Sequence, residues 1–262
     1  MSANNVGDSA RRDRRLATTL DRADDSRPLI KAVGLSAGYG AGLAIRDLDL
    51  EVHPGEVVAL LGANGAGKTT TLLTLAGELR PTTGRVIWNG DDRWSPLHRR
   101  ARQGLGYVPE EKFVFGGLTA SQNLALGRTG DRNSVVEMFP QLGKMLTRRA
   151  SLLSGGEARM LSVGQAISGP TRLLLADELS LGLAPLTVRV ILDAIRKAAD
   201  NGLGALIVEQ HVHRILSIAD RVYLMQRGRI RLATSAEDAR TRLDEIRAHY
   251  LSAEANIKEE NG

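Results

Sequence analysis

The stretch Gly62-Ala63-Asn64-Gly65-Ala66-Gly67-Lys68-Thr69-Thr70 decides how the rest of the chain is read. It fits G-x-x-x-x-G-K-[ST], a loop that cradles the phosphates of a nucleotide. Before it, Glu56-Val57-Val58-Ala59-Leu60-Leu61 is an apolar run short enough to be one buried parallel strand. After it, Thr71 to Leu79 has helical spacing and must stop before Pro81. Strand, glycine loop and helix is the context in which the motif binds phosphate. The glycines let the backbone approach an anion without Cβ clashes. Successive N–H groups from Gly62 through Asn64, Gly65, Ala66 and Gly67, and then the helix start at Lys68, Thr69 and Thr70, point at it. Lys68 is expected to reach the β- and γ-phosphates, and the Thr69 hydroxyl to ligate Mg²⁺.

A chain of 262 residues suits one large α/β domain with room for a small insertion. It has no cysteine, which excludes disulfides, thiolate metal sites and a cysteine nucleophile. No apolar run reaches the length of a membrane span and no secretory core stands at the start, so a soluble, cytoplasmic chain is expected. The net charge of +5 would suit nucleic acid or an anionic membrane, but the arginines are mixed with acids. Aromatic residues make up only 3%, too few to stack single-stranded bases, so no nucleic-acid partner is expected.

Residues 1–27 hold Arg, Asp, Ser and Ala with few large apolar side chains and read as a disordered tail. The folded domain is expected over 28–251, followed by a solvated tail over 252–262. Ile45 to Val52 alternates apolar and polar, as a half-buried antiparallel strand does. Gly84 to Trp88 reads as a strand ending in the Asn89-Gly90 turn. Ser95-Pro96 reads as a cap and first helical position, and Leu105 to Pro109 as another short strand. From about 112 to 163 the pattern turns helical, with Pro140 splitting the segment Val135 to Leu146. Regular alternation then resumes. Strands are expected at 171–176, 204–208, 221–225 and 229–232, and helices at 158–168, 188–199 and 212–219. A last helix opens on the capping pattern Ser235-Ala236-Glu237-Asp238 and runs to about Leu251.

Three further segments carry chemistry. Arg172 to Asp177-Glu178 is an apolar strand ending in two carboxylates. Asp177 then lies at the carboxyl edge of a sheet, where α/β proteins bind ligands, and can hold Mg²⁺ through water. Glu178 leaves the chain toward the other side and is free to polarise an attacking water. Leu153-Ser154-Gly155-Gly156-Glu157 puts a hydroxyl and two flexible N–H groups at a helix start, an anion-binding arrangement. Val208-Glu209-Gln210-His211 is a strand ending in a histidine.

The order and spacing of these motifs resemble the ATP-binding subunit of ATP-binding cassette (ABC) transporters, over roughly Leu29 to Leu251. The resemblance implies an ATP-hydrolysing motor with ATP and Mg²⁺ as its cofactors. Its fold is an α/β phosphate-loop core of mixed sheet and flanking helices, with an antiparallel β subdomain and a helical insertion. It makes Glu178 and His211 catalytic, His211 as the switch histidine that contacts the γ-phosphate. Tyr39 becomes the aromatic that stacks on adenine. Ser154, Gly155 and Gly156 complete the ATP site of the opposite subunit, so a head-to-tail dimer is implied, homo- or heteromeric. Glu110 stands where most members carry a Mg²⁺-sensing glutamine that touches the membrane subunits. Tyr107-Val108-Pro109-Glu110, Phe115-Gly116-Gly117-Leu118-Thr119 and Leu181-Gly182-Leu183-Ala184-Pro185 resemble the branched-chain amino acid importer branch. Implied partners are permease subunits, with a substrate-binding protein acting through them, at the cytoplasmic face of the membrane. The chain departs from the pattern at Ala176, at Leu179 (where a proline is usual) and at Glu111-Lys112. An exporter ATPase, a soluble ABC ATPase and a nucleotide-binding regulator are the competing readings.

Overall fold

A computed structural model describes residues 27–40, 42–111, 114–127 and 132–241. Apart from Arg27, the two expected tails lie outside these residues, as does the final helix beyond Thr241.

Two sheets meet at the phosphate loop. The smaller is antiparallel, in the order β2 (Gly42–Val52), β1 (Ile30–Tyr39), β4 (Thr83–Trp88). The expected alternation of β2 is present, with Ile45, Leu48, Leu50 and Val52 buried. The step of three between Ile45 and Leu48 is absorbed where Asp47 takes φ 50° and the register with β1 shifts. The strand β1 was not readable in the sequence, because Gly34 and Gly38 interrupt its apolar pattern.

The larger sheet runs β5 (Leu105–Val108), β6 (Leu173–Asp177), β7 (Gly204–Glu209), β3 (Val57–Leu61), β8 (Arg221–Gln226), β9 (Arg229–Ser235). All neighbours pair in parallel except β8 and β9. Strands β3, β6 and β7 are buried along their whole length, which is why they read as continuous apolar runs. One face packs on the helix α1 (Lys68–Ala76) and the small sheet, through Val58, Leu60, Leu173, Leu175, Leu206 and Val208 against Leu72 and Leu75. The other face holds Ala59, Leu61, Leu174, Ala176, Ala205 and Ile207 against the remaining helices. Each fully buried Leu, Ile or Val stabilises the fold by about 1.5–3 kcal/mol.

The short helix α2 (Leu97–Arg102) starts one residue later than expected: Pro96 is its N-cap, not its first residue. The Ser95 hydroxyl does not cap it but accepts from Arg100 Nε at 3.2 Å. The predominantly helical stretch holds α3 (Ala120–Ala125), α4 (Arg132–Met138) and α5 (Pro140–Gly143). Pro140 cannot donate to the turn before it, so α4 and α5 break at the buried Phe139. Then follow α6 (Gly155–Ile167) and α7 (Pro185–Asp200). In α7, Val188, Ile191, Leu192 and Ile195 make one buried stripe while Arg189 and Asp193 face water. The last described helices are α8 (Val212–Leu216) and α9 (Ala236–Thr241), and Ser235 Oγ accepts from Asp238 N at 3.0 Å as its sequence pattern implies. Among the described residues, no helix is long and apolar enough to cross a membrane.

Candidate functional site

The loop between β3 and α1 lies at the carboxyl edge of the large sheet, where the neighbours of β3 on either side are reached by different crossovers. Its glycines are there for space. A Cβ on Gly62 would sit 2.5 Å from the Met225 carbonyl oxygen. Gly67 takes φ 102°, and a Cβ there would sit 2.8 Å from the Ala44 carbonyl oxygen. Asn64, Gly65, Gly67, Lys68, Thr69 and Thr70 line a cavity of about 570 Å³, with Ala44, Glu110, Glu178, Leu181 and Gln210 on its other walls. Ala66 instead turns into the core and anchors the loop, its carbonyl accepting from Gly228 N at 3.0 Å.

Lys68 is buried and its ammonium folds back on the loop, donating to the carbonyls of Gly62 (2.8 Å) and Ala63 (3.1 Å). Burial pushes its pKa down, while Glu178, Asp177, Glu110 and Glu209 oppose that shift. The buried ammonium is held directly only by two neutral carbonyls, which phosphate oxygens entering the cavity would be able to replace.

Asp177 is 1% exposed, and neither of its carboxylate oxygens has a hydrogen-bond partner. Burial pushes its pKa up; the nearby Thr69 hydroxyl opposes this without a well-formed bond, and Glu178 and Glu110 add to the rise. Asp177 faces a second cavity of about 700 Å³, which Thr69 and Glu110 share with the first. The orphaned carboxylate beside a threonine hydroxyl is a hard oxygen donor set of the kind Mg²⁺ takes. No cluster of three His, Cys, Asp or Glu suited to a metal occurs among the described residues. Such an ion would therefore complete its shell with water and phosphate oxygens.

Glu178 follows directly but lines the phosphate-loop cavity, because it adopts φ 44° where β6 ends. A non-glycine residue is uncommon in that region, which costs about 1–3 kcal/mol; Asp47, Asn89 and Arg227 share it. Its Oε1 accepts from Gln210 Nε2 at 2.5 Å.

His211 lies two residues beyond the end of β7. It is exposed, it is absent from the walls of the phosphate-loop cavity, and its Nδ1 lies 3.3 Å from Ser180 Oγ. Ser180 also donates from its N and Oγ to the two oxygens of buried Glu209, at 2.8 and 2.7 Å. The residue that reaches the cavity from this strand end is Gln210. The sequence offered no sign of this, since Ala205 to Val208 are apolar on both faces and do not show which parity meets α1.

The remaining expected residues lie apart from the cavity. Tyr39 ends β1 and is 59% exposed. Ser154 caps α6 with its own side chain, its Oγ accepting from Glu157 N and Glu157 Oε2 accepting from Ser154 N. Gly155 and Gly156 form the first turn, and a Cβ on Gly156 would lie 2.8 Å from Thr187 Cγ2. From the same helix, buried Arg159 donates to the carbonyls of Pro109 (2.7 Å) and Glu110. That contact ties the Ser154 helix to the Glu110 segment, and the sequence reading missed it.

Residues 45–180 match the ABC transporter family. The chain belongs to that family. As one of its ATPases, it binds and hydrolyses ATP. This ABC ATPase is 38% identical to the high-affinity branched-chain amino acid transport ATP-binding protein BraG of Pseudomonas aeruginosa, over 75% of this chain and 88% of that one. It is 34% identical to the lipopolysaccharide export system ATP-binding protein LptB of Acidithiobacillus ferridurans, over 80% of this chain and 91% of that one. The ADP conformation of MJ1267, an ATP-binding cassette of an ABC transporter, superimposes with a TM-score of 0.77 at 20% identity, over 86% and 99% of the two chains. The fold class expected for an ABC ATPase is the one observed.

Proposed function

We propose that this ABC ATPase drives import of branched-chain amino acids or similar small polar solutes, docked on permease subunits at the cytoplasmic face of the membrane. The 38% identity to BraG is the observation that carries this reading. On it, the cavity of the phosphate loop takes ATP. Lys68 exchanges the carbonyls of Gly62 and Ala63 for β- and γ-phosphate oxygens, and the loop amides hold the rest of the phosphate chain. Thr69 and Asp177 would hold Mg²⁺, with Glu110 at the rim of that place, and a bound ion would supply charge neutralisation for the phosphates. Glu178 orients and polarises the attacking water. Tyr39 supplies an exposed ring for the adenine.

The Ser154-Gly155-Gly156 terminus lies away from its own chain's cavity, which favours its use on the ATP of a second ATPase subunit. A twofold axis makes that contact reciprocal and yields two composite sites. The second cavity, where Leu73, Leu97, Ala101 and Tyr107 meet Glu110 and Asp177, suits a short helix from a permease subunit. A substrate-binding protein would act through that permease. The LptB likeness supports a second reading, the same motor serving an exporter.

The test is to isolate the wild-type protein from its native membranes, identify what comes with it and reconstitute it for uptake, with Glu178→Gln prepared in parallel as the hydrolysis-defective control. Permease subunits and leucine uptake in proteoliposomes are expected, with phosphate release in the variant slower by about 10²–10⁴. Recovery with a lipid-exporting membrane complex would transfer the assignment to the exporter reading.

A further inference from the structure

The chain alternates sides along a strand, and β7 lets that alternation be followed to its end. Leu206 and Val208 face the cluster built on α1, while Ala205 and Ile207 face the opposite cluster. Continued past Glu209, the alternation puts Gln210 on the α1 side and both Glu209 and His211 on the other. The contacts agree. Glu209 and His211 both meet Ser180, whereas Gln210 lines the cavity of Lys68, Thr69 and Glu178.

We infer that Gln210, not His211, is the positioning residue for hydrolysis in this ATPase. This rests on Glu178 being the group that polarises water. The Gln210 amide donates to Glu178 Oε1 at 2.5 Å, which fixes a carboxylate that sits on strained backbone. One donor leaves acceptor capacity on the carboxylate, and Oε2 remains able to accept from water. An amide donor does not titrate, so Gln210 is a donor at every working pH. An imidazole at this place would lose or gain a proton near its ordinary pKa of about 6.5. The titratable groups on the cavity walls are Lys68, Glu110 and Glu178, and the adjoining cavity adds Asp177, Glu78, Glu111 and Tyr107. His211 belongs to a separate cluster with Ser180 and Glu209, one step removed from the phosphates.

The experiment uses full-length protein with Mg-ATP, measuring single-turnover phosphate release and ATP affinity from pH 5.5 to 8.5. Gln210→Ala is expected to lower the hydrolysis rate by about 10²-fold, the cost of misplacing a catalytic group by an ångström, with ATP affinity within threefold. Gln210→Asn keeps the amide one methylene short and should give the same split if the alanine variant does not fold. Gln210→His should recover much of the rate, and its ratio to the wild-type rate should change across about pH 6.5. A role in packing alone would give neither the rate–affinity split nor that pH dependence. His211→Ala should cost less than Gln210→Ala. The inference is overturned if Gln210→Ala and Gln210→Asn hydrolyse within threefold of wild type, or if His211→Ala is the more damaging change. Glu178→Gln, run beside them, separates the two levels: wild-type turnover there removes the assignment of Glu178 itself, whereas a dead Glu178→Gln with an active Gln210→Ala removes only the inference drawn here.

Discussion

The proposed function gives two helix N-termini of this ATPase to phosphate, and they are built in opposite ways. Helix α1 begins at Gly67, which has no side chain to cap it, and none of its first-turn residues is acidic. Helix α6 begins at Ser154, whose hydroxyl and Glu157 close a reciprocal capping box, with the acid in the first turn. Glycine in place of a side-chain cap costs a helix only about a few tenths of a kcal/mol, so α1 gives up a little of the stability that α6 keeps. In return its free amides and its positive end are left whole for a ligand. In α6 the Glu157 amide is spent on Ser154 and the Glu157 charge offsets part of the positive end. What α6 still offers is the Ser154 O–H and the amides of its two glycines. One terminus can hold a triphosphate by itself; the other can only add to a site that already holds one.

The largest effect should come from breaking the first terminus. Lys68→Ala removes the cation seated on the Gly62 and Ala63 carbonyls. ATP affinity should fall by at least about 10²-fold, the worth of one charge-assisted hydrogen bond of about 3 kcal/mol. Nucleotide titration by fluorescence checks this, and an unchanged affinity would remove the phosphate-loop assignment. Breaking the second terminus should act elsewhere. Ser154→Ala should leave the affinity of the monomer for ATP unaltered, weaken the ATP-bound dimer about tenfold and slow turnover by a similar factor. Sedimentation with Glu178→Gln in the background measures the dimer. A loss of ATP binding by the monomer would contradict the division of labour between the two helices.

The same contrast explains what the sequence made legible. The phosphate loop is a local feature: its glycines, its lysine and its flanking strand and helix are contiguous, so its geometry follows from its order. The Ser154–Glu157 box is local too, although the sequence was read there for phosphate and not for the cap. What stayed hidden depends on which face of a strand meets which layer. Val208 and Ile207 are both buried, so no polar alternation betrays that Gln210 and not His211 turns toward α1. Glu178 was expected to leave on the side opposite Asp177, and it does reach a separate cavity. Its positive φ, which sets it against the phosphate loop, was not readable. Arg159 gave no signal either, because its partners are backbone carbonyls of the Pro109-Glu110 segment.

The smallest expected effect sharpens the comparison from the side of stability. Next to the uncapped terminus, Asp177 is buried with both oxygens unpartnered, and burial pushes its pKa above the ordinary carboxylate value. A raised folded-state pKa means that the folded protein takes up its proton before the unfolded chain does. The penalty of the buried charge is therefore fully present above the folded pKa. It fades as pH falls toward the unfolded value of about 3.9. Asp177→Asn removes the charge and keeps the shape. Without nucleotide or metal it should melt higher than wild type at pH 7.5, by about 2–4 °C for each kcal/mol recovered in a domain of this size. That advantage should shrink as pH falls through the raised pKa of Asp177. With Mg-ATP the order should reverse, because wild type gains the bound ion and the variant does not. Scanning calorimetry with and without Mg-ATP at two pH values decides it. A variant that melts below wild type in the absence of ligand would mean that Asp177 is already compensated, and that the terminus of α1 is not held open at the expense of stability.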